Sequence, residues 1–241
     1  MNLLNNIGNA DLKLLKDLYK EDFNKIEEKL KSNYPIQYLI GYVDFFNTKI
    51  TVNENVLIPR FETELLVEKT LNFLKTKKYQ SLIDICTGSG CIAISLKKYL
   101  DIEIEACDIS KDALKIANQN AKDNNVSINF FELDILKEQP TKKYDCIISN
   151  PPYVKRDEYT SEGTKFEPAI ALYANHDGLE FYEKILESAS SYLNKNGTII
   201  FEIGATQGIE ITNLAKKCFP KSKVSILKDY NNYDRFIFIE T

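Results

Sequence analysis

The feature that most restricts the fold of this chain is a regular alternation of short apolar segments with longer amphipathic ones, from residue 81 to the end. The short segments have the length and the β-branched composition of buried strands, and the longer ones show helical spacing of their apolar residues. Strands that alternate with helices form a mainly parallel sheet covered by helices on both faces. We therefore predict an α/β fold built on one such sheet.

The pattern predicts the position of each element. Strands are expected at Ser81–Cys86, Ile102–Cys107, Ser127–Glu132, Tyr144–Ser149, Thr198–Ile203, Lys223–Leu227 and Phe236–Ile239. Helices are expected from the glycine-rich turn after the first strand to about Leu100, and at Lys111–Asn124, Gly178–Leu193 and Gln207–Cys218. The link Asp229–Asp234 is too short for a helix, so the last two strands must run antiparallel. The prediction is thus a seven-stranded, mostly parallel sheet with an antiparallel last strand.

The first 60 residues predict smaller elements. Residues 1–33 carry apolar side chains at roughly helical spacing, too few for an independent core, and Tyr34-Pro35 ends that segment. Residues 36–58 alternate in polarity and predict a β-hairpin that turns near Asn47-Thr48. A helix should follow from about Thr63 to Leu74. We accordingly divide the chain into a helical segment at 1–33, a hairpin linker at 34–60 and a main domain at 61–241.

Composition weighs against several classes of protein. The chain has 241 residues and a formal net charge of −4, whereas nucleic-acid-binding proteins more often carry a basic surplus. No apolar run reaches membrane-spanning length, and the amino terminus shows no signal-peptide pattern. The five cysteines form no Cys-x-x-Cys pair and indicate reduced thiols. We expect a cytoplasmic monomer without membrane or direct nucleic-acid contact.

Histidine chemistry is also disfavoured. His176 is the only histidine, so the chain has no histidine cluster for a metal and little basis for a serine–histidine triad. A loop histidine is usually solvated, and nothing in the sequence brings this one within hydrogen-bond reach of a reacting proton. We expect no metal site and no catalytic role for His176.

The stretch Ser149–Val154, Ser-Asn-Pro-Pro-Tyr-Val, carries the most chemical information. It ends a buried strand, because proline cannot donate to a sheet ladder and holds the preceding residue extended. Ligands of open α/β sheets bind at the carboxyl ends of the strands. The side-chain oxygen of Asn150 and the carbonyl of Pro151 can each accept one N–H of a planar –NH2 group, while Tyr153 packs on its flat face. Such a grip would favour a pyramidal nitrogen and aim its lone pair. The alternative is a plain proline-rich turn.

A second set of groups is expected at the same edge of the sheet. Asp84–Gly90 forms a glycine-containing turn between the first strand and its helix, where the backbone can approach a ligand closely. Asp108 ends the next strand, about 20 residues further on, which is the usual place of an acid that bonds ribose hydroxyls. Asp134 follows the third strand and could accept an adenine amino group, with Ile135 beside the ring. Each acid could instead be a helix cap.

Together these segments identify a resemblance. The chain resembles the class I S-adenosylmethionine-dependent methyltransferases and, within them, the HemK/PrmC family of protein-(glutamine-N5) methyltransferases, which act on peptide-chain release factors. The similar segments, from about Pro35 onward, are Leu57–Glu64, Asp84–Ala93, Asp108–Ser110, Ser149–Val154 and Phe166–Pro168. The Pro-Arg-x-Glu-Thr-Glu stretch and its distance from Asn-Pro-Pro-Tyr are the specific part. The resemblance implies a Rossmann-like fold and S-adenosyl-L-methionine as the cofactor.

The resemblance also implies roles for individual residues. The family's cofactor-contact positions fall on Cys86, Thr87, Gly88, Ser89, Gly90, Asp108, Ile135 and Asn150. Its contacts to the glutamine of a Gly-Gly-Gln loop fall on Asn150, Pro151, Pro152 and Tyr153. Arg60 is expected to shape the site or contact the substrate, although a plain salt bridge is an equal alternative.

Two departures and two other functions complete the prediction. Cys86 stands where glycine is common, and the amino-terminal helical segment, expected to dock the substrate protein, is shorter than in the family. A nucleic-acid amino-methyltransferase, acting on adenine N6, cytosine N4 or guanine N2, would use the same corner on a flipped base. It would normally need a further target-reading segment. A non-catalytic binding module is disfavoured by the intact Asn-Pro-Pro-Tyr.

Overall fold

The structure is a computed structural model that describes residues 8–158 and 161–241. Its strands are β1 Tyr42–Phe45, β2 Thr48–Thr51, β3 Ser81–Ile85, β4 Glu103–Asp108, β5 Asn129–Glu132, β6 Tyr144–Ser149, β7 Val154–Lys155, β8 Tyr173–Ala174, β9 Leu193–Glu202, β10 Lys223–Lys228 and β11 Asp234–Glu240. Its α-helices are α1 Asn9–Tyr19, α2 Phe23–Lys31, α3 Ile36–Ile40, α4 Phe61–Leu74, α5 Cys91–Lys97, α6 Lys111–Asp123, α7 Glu180–Tyr192 and α8 Gly208–Cys218. Single 3-10 turns lie at Lys20–Asp22, Glu162–Phe166, Ala169–Ala171 and His176–Gly178.

The central sheet has seven strands in the order β10-β11-β9-β6-β3-β4-β5. Strand β11 runs antiparallel to both of its neighbours, and the other pairs are parallel. The predicted α/β class, the strand number and the antiparallel last strand are therefore confirmed. Strands β3, β6 and β9 are central and adjacent, so their carboxyl ends meet in the middle of one edge.

Both faces of the sheet are buried, as the continuous apolar strands predict. Leu82 and Ile148 point to the layer that contains α4, α5 and α6. Ile83, which follows Leu82, and Ile147, which precedes Ile148, point to the layer that contains α7 and α8. Successive side chains of a strand face opposite sides, so one apolar run supplies two cores.

The amino-terminal part forms the predicted hairpin and helices, with one difference. Strands β1 and β2 are joined by Phe46-Asn47, which have positive φ values of 40° and 59°. A two-residue turn of this kind matches the twist of the strands. The segment at 36–40 is helix rather than strand, because it packs on α1 and α2 through Leu39, Leu15, Ile26 and Leu30. The prediction for residues 1–7 lies outside the described residues.

Two features, one in the main sheet and one in a separate two-stranded sheet, were not predicted. Strand β9 begins at Leu193 rather than at Thr198, because Leu193 already pairs with Tyr144 across an irregularity in the ladder. The turn-forming residues Asn194–Gly197 conceal this start in the sequence. The pair β7–β8 is parallel and only two residues long in each strand, too short to give a periodic signal. It joins the segment after Tyr153 to the loop at 173–174.

Asn120 ties three elements together behind the glycine-rich turn. Its Oδ1 accepts from Thr51 N at 2.8 Å, and its Nδ2 donates to Thr51 O at 3.1 Å and to Ser89 O at 2.9 Å. The side chain is fully buried on α6. A buried polar group must be paired, so this amide fixes the hairpin and the turn against the same helix.

We expect Asn120→Ala to lower the free energy of unfolding by about 2–4 kcal/mol, because three backbone groups lose a buried partner. Asn124→Ala is the matched control. Asn124 makes the corresponding bonds to Lys49 N and Lys49 O near the surface, where water replaces them. Asn124→Ala should therefore lower the free energy of unfolding by less than about 1 kcal/mol. Denaturant unfolding of both variants measures the difference, and equal losses would contradict this role for Asn120.

Candidate active site

Two adjoining cavities open at the carboxyl edge of the sheet. The larger, about 450 Å³, lies over the ends of β3, β4 and β6. The smaller, about 260 Å³, lies beside it over the ends of β6 and β9. Both are lined by Leu57, Arg60, Asn150 and Ala171. Asn150 and Arg60 therefore stand where the two cavities meet.

Most of the predicted site residues lie in these linings. The larger cavity is lined by the predicted residues Arg60, Cys86, Thr87, Gly88, Ser89, Asp108, Asp134, Ile135, Asn150 and Pro152. The smaller one is lined by Arg60, Asn150, Pro151 and Tyr153. Gly90 lies in neither lining. A Cβ at Gly90 would stand 3.1 Å from Ala117 Cβ and from Ile94 Cδ1, so this glycine allows close helix packing.

The glycine-rich turn presents its backbone to the larger cavity. Cys86, Gly88 and Gly90 all have positive φ values, at 61°, 55° and 81°. A Cβ at Gly88 would meet no atom within 4 Å, so the turn faces open space there. Behind it, Thr87 Oγ1 donates to the fully buried Asp84 at 2.6 Å. Burial raises the pKa of Asp84 to about 7. No sequence pattern assigns a role to Asp84, and the structure shows that it anchors the turn.

Asp108 is part of this turn as well as of the cavity wall. Its Oδ2 accepts from Gly88 N at 2.8 Å, and its Oδ1 accepts from Ser110 N at 2.9 Å. The side chain that caps α6 is Ser110, which accepts from Ala113 N, so the alternative of a plain Asp108 cap is wrong. Burial raises the pKa of the Asp108 carboxyl. Each oxygen retains a lone pair for a ligand hydroxyl.

Asp134 and Ile135 form the far wall of the larger cavity. Asp134 Oδ1 accepts from Leu136 N at 3.1 Å, and its Oδ2 pairs with Lys137 Nζ at 2.8 Å. Ile135 is buried with the core of the sheet. The wall thus combines partly engaged carboxylate oxygens with an apolar surface, a suitable environment for a flat ring that carries an amino group.

The Asn-Pro-Pro-Tyr corner follows β6. Ser149 Oγ donates to Ile85 O at 2.5 Å and joins the ends of the two central strands. Asn150 Nδ2 donates to Thr63 Oγ1 at 3.2 Å, and Thr63 Oγ1 donates to Glu202 Oε2 at 2.8 Å. No residue in the described parts of the chain donates to Asn150 Oδ1. The corner therefore holds the amide nitrogen from behind and leaves its oxygen free.

Thr63 and Glu202 were missed by the sequence analysis. Thr63 lies within the Pro-Arg-x-Glu-Thr-Glu stretch, and Glu202 is an acid that directly follows three apolar residues at the end of β9. Glu202 is 1% exposed and lines the smaller cavity. Burial is the main cause that raises its pKa to about 7. A buried acid next to a cavity is a common signal of function.

The Tyr153 end of the corner is fixed from the opposite side. Gln207 Nε2 donates to Tyr153 O and to Gly178 O, both at 3.3 Å, while Gln207 Oε1 accepts from Gly204 N at 2.9 Å. A Cβ at Gly178 would lie 2.2 Å from Tyr153 O, so only glycine fits that close approach. Burial raises the pKa of the Tyr153 phenol, which is therefore neutral at physiological pH.

Arg60 reaches the junction of the cavities from the segment before α4. Its Nη2 pairs with Glu167 Oε1 at 2.5 Å, and Glu167 Oε2 accepts from Ile58 N at 3.0 Å. Glu167 is buried, whereas the Arg60 side chain is 37% exposed. The salt bridge expected as one alternative is present, and Arg60 still lines both cavities.

The structure places other candidates away from the site. His176 is exposed, lies in neither cavity lining, and pairs with Glu183 at 2.7 Å, a contact that raises its pKa. Within residues 8–158 and 161–241, no three His, Cys, Asp or Glu side chains are grouped so as to hold a metal ion. The same residues contain no helix that is long and apolar enough to cross a membrane.

Comparison with known proteins agrees with this geometry. Residues 61–166 match the family model described as the methyltransferase small domain. The chain is 41% identical over 226 residues to the release factor glutamine methyltransferase of Streptococcus pneumoniae, covering 92% of this chain and 80% of that protein. It is 39% identical to the Lactococcus lactis protein of the same name, covering 97% and 84%. A methyltransferase structure from Pyrococcus furiosus superposes with a TM-score of 0.59 at 17% identity, covering 96% of each chain.

We expect Asp108→Ala to weaken binding of S-adenosylmethionine at least about tenfold, because hydrogen bonds to a charged acceptor contribute about 1.5–3 kcal/mol each. Asp112→Ala is the control. Asp112 lies on the exposed start of α6 and pairs with Lys115. Calorimetric titration of both folded variants measures the effect. Unchanged affinity in Asp108→Ala would remove this carboxylate from the binding site.

Proposed function

This chain belongs to the release factor glutamine methyltransferase family, and from that premise we propose its reaction. It transfers the methyl group of S-adenosylmethionine to the side-chain amide nitrogen (N5) of a glutamine in a peptide-chain release factor, within the Gly-Gly-Gln loop. The supporting observation is that Asn150 lines two cavities at once. One cavity suits a nucleoside cofactor, and the other suits a side chain that arrives from a protein.

The larger cavity fits the cofactor. A volume of about 450 Å³ lies in the range of small-molecule sites. The open backbone at Gly88 and the carboxylate of Asp108 would hold the amino-acid and ribose parts, and Asp134 with Ile135 would hold the adenine. When bound, S-adenosylmethionine supplies an electrophilic methyl group on a positive sulfur.

The smaller cavity would hold the glutamine amide. Asn150 Oδ1 and Pro151 O would accept its two N–H groups, and the Tyr153 ring would cover its flat face. These contacts orient the nitrogen lone pair toward the methyl carbon. The N–C bond forms as the C–S bond breaks, the electron pair stays on sulfur, and the surplus proton leaves to water. Alignment of this kind can supply about 7–11 kcal/mol of a barrier.

Methylation of a nucleic-acid base is the second candidate, because the corner would hold an aromatic amine equally well. The net charge of −4 disfavours it, since phosphate contacts dominate the affinity of such enzymes. Incubation with cofactor labelled in the methyl group, and with release factor, DNA or RNA as separate acceptors, tests the choice. We expect label in the release factor. Label in DNA or RNA alone would overturn the proposed function.

Asn150 variants test the mechanism. We expect Asn150→Ala to lower single-turnover methylation of a release factor by about 10²–10³-fold, the usual effect of losing one preorganised hydrogen bond. Asn150→Asp keeps an acceptor oxygen and nearly the same shape, so it should retain more activity than the alanine variant. Its charge beside the sulfonium would tighten cofactor binding in the ground state, which lowers the rate. Near wild-type turnover by a folded Asn150→Ala variant would contradict the proposed grip.

The amino-terminal segment and the hairpin are the proposed docking surface for the release factor. Helices α1, α2 and α3 share a small core of their own, built on Leu15, Ile26, Leu30 and Leu39. Their outer faces are largely charged and exposed. A whole protein must approach the smaller cavity, so contacts beyond the glutamine loop are needed to hold it.

We expect deletion of residues 1–33 to raise KM for the release factor while leaving cofactor affinity unchanged, because the cofactor cavity has no wall in that segment. Steady-state methylation gives KM, and calorimetry with S-adenosylmethionine reports both cofactor binding and folding. An unchanged KM in the truncated protein would show that docking lies elsewhere. Equal methylation of a short glutamine peptide and of the whole factor would lead to the same conclusion.

A further inference from the structure

Three polar side chains from three separate elements meet behind the corner. Asn150 follows β6, Thr63 lies on α4 and Glu202 ends β9. Asn150 Nδ2 donates to Thr63 Oγ1 at 3.2 Å, and Thr63 Oγ1 donates to Glu202 Oε2 at 2.8 Å. We infer that Thr63 and Glu202 are positioning residues that set which end of the Asn150 amide faces the substrate. This inference rests on the proposed methylation of an amide and names the groups that prepare its acceptor.

The direction of the chain follows from counting protons. An ionised carboxylate has no proton and can only accept. Thr63 has a single hydroxyl proton, which it donates to Glu202. Toward Asn150, Thr63 Oγ1 can therefore act only as an acceptor. Asn150 must then present Nδ2 to Thr63, and its Oδ1 turns to the cavity. That is the orientation that accepts an N–H from a substrate –NH2 group.

The opposite orientation becomes possible when Glu202 is protonated. Its O–H can then donate to Thr63, whose own proton is released toward Asn150. The amide gains by turning Oδ1 to that proton, and it presents Nδ2 to the cavity. Two –NH2 groups that face each other offer no hydrogen bond, so the substrate loses one of its two acceptors. The ionised form of Glu202 therefore fixes the orientation of Asn150, and the protonated form removes that constraint.

The surroundings of Glu202 define the pH at which this happens. The hydrogen bond from Thr63, the charge of Arg235 of β11 and the nearby amide of Asn150 favour the ionised form, and Glu62 of α4 opposes it. The phenols of Tyr153 and Tyr182 also face this carboxyl group. Burial is the largest effect and raises the pKa of Glu202 to about 7. Turnover is thus expected to rise with pH through about 7.

The effect on stability has the opposite sign. The folded pKa lies above the usual value, so the folded state favours the protonated acid below pH 7. That contribution is fully present below about pH 4.5 and is lost as pH rises through about 7. The ionised form that orients Asn150 is therefore kept at a cost to stability. A purely structural role for Glu202 would not predict a gain of activity over the same range.

Variants at Thr63 test whether this residue orients the Asn150 amide. Wild-type protein is first assayed for methylation of the release factor. We expect Thr63→Val to lower the single-turnover rate by about 10–100-fold, since the amide loses its orienting partner. Thr63→Ser restores the hydroxyl and should recover most of that loss. Thr70→Val is the matched control, because Thr70 is a fully buried threonine on the same helix whose Oγ1 has no hydrogen-bond partner in the described parts of the chain.

The variant Glu202→Gln tests the pH dependence. Glutamine does not ionise, so turnover should no longer rise with pH through 7. The free energy of unfolding should likewise no longer decrease as pH rises through 7. Cofactor affinity, measured by calorimetry, confirms that each variant is folded. Equal rates for Thr63→Val and Thr70→Val, or a wild-type pH profile in Glu202→Gln, would overturn the inference and leave the proposed function intact. Absence of methylation by wild type would instead refute the proposed function.

Discussion

The organisation of the site depends on two consecutive prolines at the end of a central strand. Pro151 and Pro152 cannot donate to the sheet, so β6 stops at Ser149 although β9 continues beside it to Glu202. The chain leaves the sheet as a rigid corner, and its carbonyl groups remain without backbone partners from the ladder. This constraint places Asn150 at the middle of the carboxyl edge, where both cavities begin.

A rigid corner is useful only if the surrounding structure holds it. Gln207 and Gly178 fix the Tyr153 end, and Thr63 fixes the Asn150 end. The pair Arg60–Glu167 closes the junction from a third direction. These contacts join elements that are far apart in the chain. Each involves a buried polar group, and the folded protein would be less stable if that group lost its partner. The site is thus prepared before a substrate arrives, which is what electrostatic preorganisation requires.

Much of the fold could be predicted because its signals are local. Apolar runs of strand length predicted the seven strands, and the short link before β11 predicted its direction. The start of β9 could not be predicted, because Asn194–Gly197 have turn composition while Leu193 pairs with a distant strand. The cavity-lining residues could be predicted where a turn or a strand end carried them. Thr63 and Glu202 could not, since their contact spans 139 residues and has no local pattern. Gly90, predicted to contact the cofactor, lines neither cavity, and its lack of a Cβ allows α5 to pack closely on α6.

The central claim is that the corner delivers a methyl group to one particular atom, the side-chain nitrogen of a glutamine. The most direct measurement is tandem mass spectrometry of a release factor made with ¹⁵N in its glutamine side chains and incubated with the protein and isotopically labelled cofactor. We predict that the labelled methyl group and the ¹⁵N occur in the same methylated side-chain amide of the Gly-Gly-Gln loop. A methyl group on any other residue, or on a backbone atom of that loop, would contradict the account.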